Sequence, residues 1–209
     1  MRIDMDTHYT PFDSLRRLDG KFGAEGLRFA QDQRLGSEVI YYHKYTHRKN
    51  SSVPDLKKRL ADMDIAEFDK QVLICGSRLT YYETTPEMGL EICQACNDGQ
   101  AEAMSLSDRF IGAAIVPLQD VGLAVEELER AITKLGLKAV NIATNVNGKL
   151  LDAPELKPFY KKVSALNVPI LVHGVSDFMV YGIRQIDKHP PFSHVRLTGL
   201  LGFPFEMQI

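Results

Sequence analysis

Three residues of the kinds that bind metal ions stand at the ends of short apolar segments. Asp6 and His8 lie two positions apart near the N-terminus, and His173 follows the apolar run Ile170–Val172. Side chains at positions i and i+2 of a strand point to the same side, so Asp6 and His8 can bind one cation together. With His173 as a third ligand, coordination positions stay open, as a catalytic metal requires. The sequence therefore indicates a divalent-metal centre.

Each part of this centre has a simpler alternative. An Asp-x-His pair near the start of a chain can be incidental. A histidine at the end of an apolar strand can be a hydrogen-bonded structural residue, with Gly174 allowing the backbone to turn after His173. The choice depends on whether the elements that carry these residues meet.

Apolar and amphipathic segments alternate from residue 54 onwards. Leu56, Leu60 and Met63 have helical spacing behind Pro54 and Asp55, which are typical of a helix start. Further helices are predicted to begin with a capping box at Thr84 and Glu87, near Ala124, and with a capping box at Asp152 and Glu155. The predicted strands after the first one are Gln71–Cys75, Phe110–Val116, Lys138–Ala143 and Pro169–His173. Apolar strands between amphipathic helices indicate a parallel sheet covered by helices.

Two parallel architectures fit this alternation, an open doubly wound sheet and a closed barrel. No Gly-x-Gly-x-x-Gly turn follows the first strand, which argues against a nucleotide-binding open sheet. Polar residues gather at strand ends instead, where a barrel carries its chemistry. These residues are Asp6, His8, Ser77, Arg78, Thr144, Asn145 and His173. We therefore predict an α/β fold of the (β/α)8 TIM-barrel type, with about five strands present in a single partial domain, 1–209. The first and fifth strands of such a barrel face each other across its mouth.

An insertion at about 12–53 separates the first strand from the regular part. It contains several glycine turns and one segment of strand composition, Val39–Tyr42. We expect an irregular segment with one hairpin, which either covers the mouth of the site or lies in solvent.

Composition is that of an ordinary globular protein. The 209 residues are 44% hydrophobic and 25% charged, and the net charge of −2 gives no reason to expect binding to nucleic acid or an anionic membrane. No apolar run approaches the roughly 20 residues of a membrane span. The three cysteines fit a reducing cytoplasm, and the Cys93 and Cys96 pair falls inside a predicted helix, where core packing explains it best.

Motifs spread over nearly the whole chain stand in the order found in one known family. They are Ile3–His8, Met63–Asp64, Asn97–Asp98, Arg109–Gly112, Pro117–Gln119, Ala124–Arg130, Thr144–Gly148, Leu171–His173 and Gly202–Glu206. On these residues the chain resembles the amidohydrolase superfamily, in the branch that includes aminocarboxymuconate semialdehyde decarboxylase and aromatic-acid decarboxylases. The resemblance implies a (β/α)8 barrel with a divalent metal at its mouth, in which His8 and His173 match ligands.

Asp6 departs from the family pattern, which most often has histidine at this position. A carboxylate still binds metal, but it is a harder, anionic ligand. It should shift the preference of the site from zinc towards manganese, magnesium or iron. It should also make a metal-bound water less acidic, because it lowers the positive charge of the site.

The resemblance implies a metal-dependent enzyme acting on a small carboxylated, aromatic-derived acid, with decarboxylation ahead of hydrolysis. We expect a homodimer as the assembly. Arg48 is the nearest match to the arginine that pairs with the substrate carboxylate in this family. Asn145 either lines the pocket or is a buried structural residue.

The resemblance also implies three further strands, with an acid/base histidine and a final aspartate ligand that residues 1–209 do not supply. The sequence is then a fragment of a longer enzyme, or a second chain completes the barrel, or the chain has lost the chemistry of the family. In the last case it is a non-catalytic remnant that serves as a structural or partner subunit.

Overall fold

The computed structural model describes residues 1–33, 36–42, 45–48, 55–75 and 82–174. Ser77, Arg78 and the Gly202–Glu206 motif lie outside these residues. In chain order, the elements are β1 (Ile3–His8), α1 (Phe12–Leu15), β2 (Arg28–Asp32), β3 (Ser37–Tyr42), β4 (Tyr45–Arg48), α2 (Leu56–Ile65), β5 (Lys70–Ile74), α3 (Pro86–Leu106), β6 (Phe110–Ala114), α4 (Val121–Thr133), β7 (Ala139–Ala143), β8 (Asn145–Val146), β9 (Lys149–Leu150), α5 (Lys157–Leu166) and β10 (Ile170–His173). Short 3-10 turns occur at Arg16–Leu18 and Pro154–Leu156.

Five parallel strands form the central sheet in the order β1-β5-β6-β7-β10. Each of these five strands pairs with the one that follows it in chain order. The strand order therefore contains no reversal of the kind that a doubly wound sheet has. The predicted alternation of strands and helices is confirmed, and the bounds of the strands β5, β6, β7 and β10 differ from the predicted ones by one or two residues. This consecutive parallel order is that of a barrel.

Two of the predicted helix caps are wrong. Helix α3 is capped by Thr85, whose side chain accepts from the Met88 amide, and not by the preceding Thr84. Asp152 caps no helix: Ala153 precedes the 3-10 turn Pro154–Leu156, and α5 follows that turn without a side-chain cap. By contrast, Asp55 caps α2 as predicted, since its carboxylate accepts from the amides of Lys57 and Lys58.

The apolar core lies mainly between the sheet and its helices. On this face Met63 of α2 packs with Leu73 of β5, and Leu128 of α4 packs with Val140 and Ile142 of β7. The opposite face of the sheet carries a smaller cluster: Ile3, Val72, Ile74, Ile111, Ala113, Ala139 and Leu171. Both faces of the strands are therefore apolar, as the continuous hydrophobic runs predict.

The described residues of the insertion contain more regular secondary structure than the sequence predicts. Strands β2, β3 and β4 form a three-stranded antiparallel sheet, where the sequence predicts a single hairpin. Phe12, Leu15 and Ile40 are buried in one cluster with the first half of α3 and with Cys75 and Ile115, which directly follow β5 and β6. The insertion therefore packs at the carboxyl end of the central sheet.

The cysteines belong to the core. Cys75, Cys93 and Cys96 are free and buried, and burial raises the pKa values of the Cys93 and Cys96 thiols well above the usual range. Within the described residues, no helix has the length and apolar character that crossing a membrane needs.

Candidate metal centre

Asp6, His8 and His173 come together at the carboxyl ends of β1 and β10. The Nε2 atoms of His8 and His173 are 3.1 Å apart, and His8 Nε2 lies 3.5 Å from Asp6 Oδ1. One ligand atom from each residue lies within 4.8 Å of the others, which makes these three a possible metal-binding group. The structure therefore brings together the three residues that the sequence singles out as candidate metal ligands.

Curvature of the sheet brings the two strands together. β1 and β10 are separated by three other strands. In a flat sheet, four steps of about 4.8 Å would place them roughly 19 Å apart. Because side chains from both strands touch, the sheet must curl. The side chains of His8 and His173 lie on its concave side.

His173 has its second ring nitrogen engaged by the backbone. Nδ1 lies 2.7 Å from the Gly174 carbonyl oxygen, which accepts a hydrogen bond, so we assign the proton of the neutral ring to Nδ1. This tautomer leaves the lone pair of Nε2 facing His8 and Asp6. A carbonyl partner on the far nitrogen is also the usual support of a metal-bound histidine.

The environment of His8 favours the neutral imidazole. Burial lowers the pKa of His8 below 6.5; His173 and Arg59 lower it further, and Asp6 opposes them. A neutral ring keeps a lone pair for a cation. When His8 carries its proton on Nε2, the 3.1 Å contact is a hydrogen bond to His173 instead.

The donor set fits a divalent ion that keeps open positions. With metal–nitrogen bonds of about 2.1 Å, two nitrogens 3.1 Å apart subtend an angle of roughly 95° at a shared ion. The side chains of His8 and Asp6 are 52% and 66% exposed, so a ligand or water can approach from the concave side. One carboxylate and two imidazoles form a mixed oxygen and nitrogen site, which suits Mn²⁺ as well as Zn²⁺.

The two residues predicted to contact the substrate, Asn145 and Arg48, lie in different parts of the structure. Asn145 lies in β8, close to the carboxyl end of β7, and its side-chain oxygen accepts from the Gly148 amide at 3.0 Å. It thereby supports the tight turn in which Asn147 and Gly148 have positive φ angles of 53° and 83°. The backbone of Arg48 pairs with Val39 in the insertion, and its side chain lies outside the described part.

Two further buried polar residues contact the backbone at the carboxyl ends of β1 and β5. Arg59 of α2 is 8% exposed, and its Nη2 donates to the His8 carbonyl at 2.9 Å. Asn141 of β7 is 1% exposed and donates to the Cys75 carbonyl, while its own side-chain oxygen is buried and has no hydrogen-bond partner among the described residues. Both interrupt apolar patterns: Arg59 stands on the Leu56 and Met63 face of its helix, and Asn141 stands inside an apolar strand. That interruption is the signal that could have revealed them.

Comparison with known proteins supports this description. A model of the amidohydrolase family matches residues 3–200. The chain is 29% identical over 175 residues to 2-amino-3-carboxymuconate-6-semialdehyde decarboxylase of Dictyostelium discoideum, which covers 83% of this chain and 48% of the relative. It is 31% identical over 125 residues to gamma-resorcylate decarboxylase of Rhodococcus jostii, covering 55% of this chain and 38% of the relative. The chain thus spans about half the length of these relatives.

A solved structure confirms the predicted fold class. The 5-carboxyvanillate decarboxylase of Novosphingobium aromaticivorans, complexed with manganese and 4-hydroxy-3-methoxy-5-nitrobenzoic acid, superposes with a TM-score of 0.67 at 21% identity. The superposition covers 99% of this chain and 57% of that protein. Together with the family match over almost the full sequence, it identifies the chain as a member of the amidohydrolase family.

Proposed function

We propose that the chain supplies the first five strands of a metal-dependent decarboxylase that acts on a small carboxylated, aromatic-derived acid. The observation that carries this proposal is the convergence of Asp6, His8 and His173 at the carboxyl ends of two opposed strands. The sequence relatives named above are decarboxylases of acids of this class.

Asp6, His8 and His173 would hold a divalent ion, with Mn²⁺ preferred over Zn²⁺ because one of the ligands is a carboxylate. The bound ion would supply Lewis acidity and stabilise negative charge that develops on the substrate. The manganese in the structural relative supports this choice.

The chain's own residues have distinct roles in this proposal. His8 and His173 would present their Nε2 atoms to the ion, and Asp6 would balance part of its positive charge. Arg48 would hold the substrate carboxylate through paired hydrogen bonds, because the guanidinium fork matches that group. Asn145 would line the rim of the pocket from the β8 turn.

The test is metal analysis of the purified chain. The chain is loaded with Mn²⁺ and desalted, and the retained ion is counted before and after a chelator is added. We expect about one retained ion per chain, which the chelator removes; CO₂ release from gamma-resorcylate is expected only once the three further strands that the resemblance implies complete the barrel. A folded chain that retains no ion would contradict the proposal and would indicate a non-catalytic subunit instead.

A further inference from the structure

We propose that Arg59 is a positioning residue for the metal centre: its guanidinium fixes the backbone that carries His8 and Asp6, so that their ligand atoms are aimed at one ion. The inference rests on the proposed metal site. Arg59 itself does not contact the ion; it acts through the peptide chain of β1.

The peptide group between His8 and Tyr9 is held at both ends. Arg59 Nη2 donates to its carbonyl oxygen, that of His8, at 2.9 Å. The amide of the same peptide, that of Tyr9, donates to the Ile74 carbonyl at 2.9 Å. The carbonyl and amide of a trans peptide point in opposite directions, so these two bonds fix the plane of the peptide. Because the Cα atom of His8 belongs to this peptide plane, fixing the plane also restricts the direction in which the His8 side chain leaves the backbone.

A second chain of contacts reaches from Arg59 to Asp6. Arg59 Nη1 lies 3.5 Å from Gln71 Oε1, and Gln71 Nε2 donates to Asp4 Oδ2 at 3.3 Å. The other oxygen of the Asp4 carboxylate accepts from the Asp6 amide at 3.4 Å. This contact spans the irregular part of β1, where its register with β5 shifts between Asp4 and Thr7. Arg59 therefore contributes to the backbone position of both ligands on β1.

The location of Arg59 argues that this role is specific. Its side chain is buried on the apolar face of α2, where Leu56, Met63 and Leu73 pack together. Burying a guanidinium is costly unless its donors are satisfied, and a leucine would fill such a position more cheaply. The planar fork of arginine can donate to the His8 carbonyl and approach Gln71 at once, which the single ammonium of lysine does less well.

Arg109 provides a matched control. Its Nη2 and Nε donate to the carbonyls of Phe68 and Asp69 at 2.7 and 3.1 Å, so it also holds backbone through a guanidinium. These contacts lie just before β5, at the amino end of the sheet and away from the metal centre. Loss of Arg109 should therefore cost stability without changing metal coordination.

The experiment compares wild type with Arg59→Met, Arg59→Lys and Arg109→Met. Mn²⁺ affinity is measured by titration, the visible absorption spectrum is recorded with Co²⁺ in the site, and thermal stability is measured in parallel. We expect Arg59→Met to weaken Mn²⁺ binding by about 10- to 100-fold and to alter the Co²⁺ spectrum, as loss of supporting contacts does in other metal sites. Arg59→Lys should recover part of the affinity, and Arg109→Met should keep wild-type affinity and spectrum.

Each outcome decides a different claim. A folded Arg59→Met with wild-type affinity and spectrum overturns the positioning role while the proposed metal site stands. If Arg59→Met does not fold, Arg59→Lys decides: full wild-type Mn²⁺ affinity together with an unchanged Co²⁺ spectrum in that variant overturns the role, because only partial recovery is expected from lysine. Equal losses of affinity in the Arg59 and Arg109 variants would also overturn it, because they indicate general destabilisation. A wild-type chain that binds no Mn²⁺ contradicts the proposed function itself.

Discussion

The Nε2 atoms of His8 and His173 lie 3.1 Å apart, although 165 positions separate these residues in the sequence. The contact joins the two outer strands of the central sheet, β1 and β10. It is possible only because the sheet curls, and it places both imidazoles where a barrel of this type carries its chemistry. The proposed function depends on this contact.

Replacing His173 with alanine should abolish metal loading while the chain stays folded. His173 is only partly buried at the end of β10, so the change removes a ligand without opening a large cavity. We expect at least a 100-fold loss of Mn²⁺ affinity, measured by titration. Val172→Ala is the matched control, because Val172 neighbours it on the opposite face of the strand and is 40% exposed. Unchanged metal content in the His173 variant would refute its role.

Asp6→His should change which metal the site prefers. The substitution replaces a hard carboxylate with an imidazole, so Zn²⁺ should gain on Mn²⁺ by about tenfold or more in a competition experiment. Asp6→Asn, which keeps the shape and loses the charge, should weaken binding of both ions. Equal Zn²⁺ to Mn²⁺ ratios in wild type and Asp6→His would show that Asp6 is not a ligand.

The metal-free protein should lose stability as pH falls below about 6.5. Burial lowers the pKa of His8 in the folded chain below its unfolded value of about 6.5. The unfolded chain therefore binds the proton more tightly, so this contribution is intact above pH 6.5 and is lost as pH falls through the folded pKa. Urea unfolding in the presence of a chelator measures the free energy of unfolding at each pH. His8→Asn should flatten this part of the profile, and an identical slope in the variant would contradict the assignment.

Gly99→Ala should destabilise the contact between the insertion and α3. A Cβ at this position would lie 2.3 Å from Pro11 Cβ and 2.6 Å from Ser14 Oγ, so α1 must move away. Overpacking of this kind costs about 1–3 kcal/mol in the free energy of unfolding. Gly23→Ala is the control within the insertion, because a Cβ there would meet nothing within 4 Å. Equal stabilities of the two variants would argue against tight packing of α1 on α3.

The sequence predicts the central sheet well and singles out the three residues that the structure brings together, for physical reasons that are visible in particular residues. The apolar runs at β5, β6, β7 and β10 have the continuous pattern of strands buried on both faces. The i, i+2 spacing of Asp6 and His8 fixes their common side once β1 is a strand.

Other features depend on contacts that no local pattern contains. The insertion packs on α3, far away in sequence, through the buried side chains of Phe12, Leu15 and Ile40. Thr84 and Thr85 are both good capping residues, and only the backbone conformation at the helix start selects Thr85. Arg59 reaches the His8 carbonyl from a different element, so its role appears only in three dimensions.

An anomalous-difference map of crystals grown with Mn²⁺ tests the central claim most directly. We predict one peak within about 2.3 Å of Asp6 Oδ1, His8 Nε2 and His173 Nε2 together, the usual range of such bonds. A map with no peak at these atoms, or an ion bound to Asp6 and His8 while His173 points elsewhere, would contradict it.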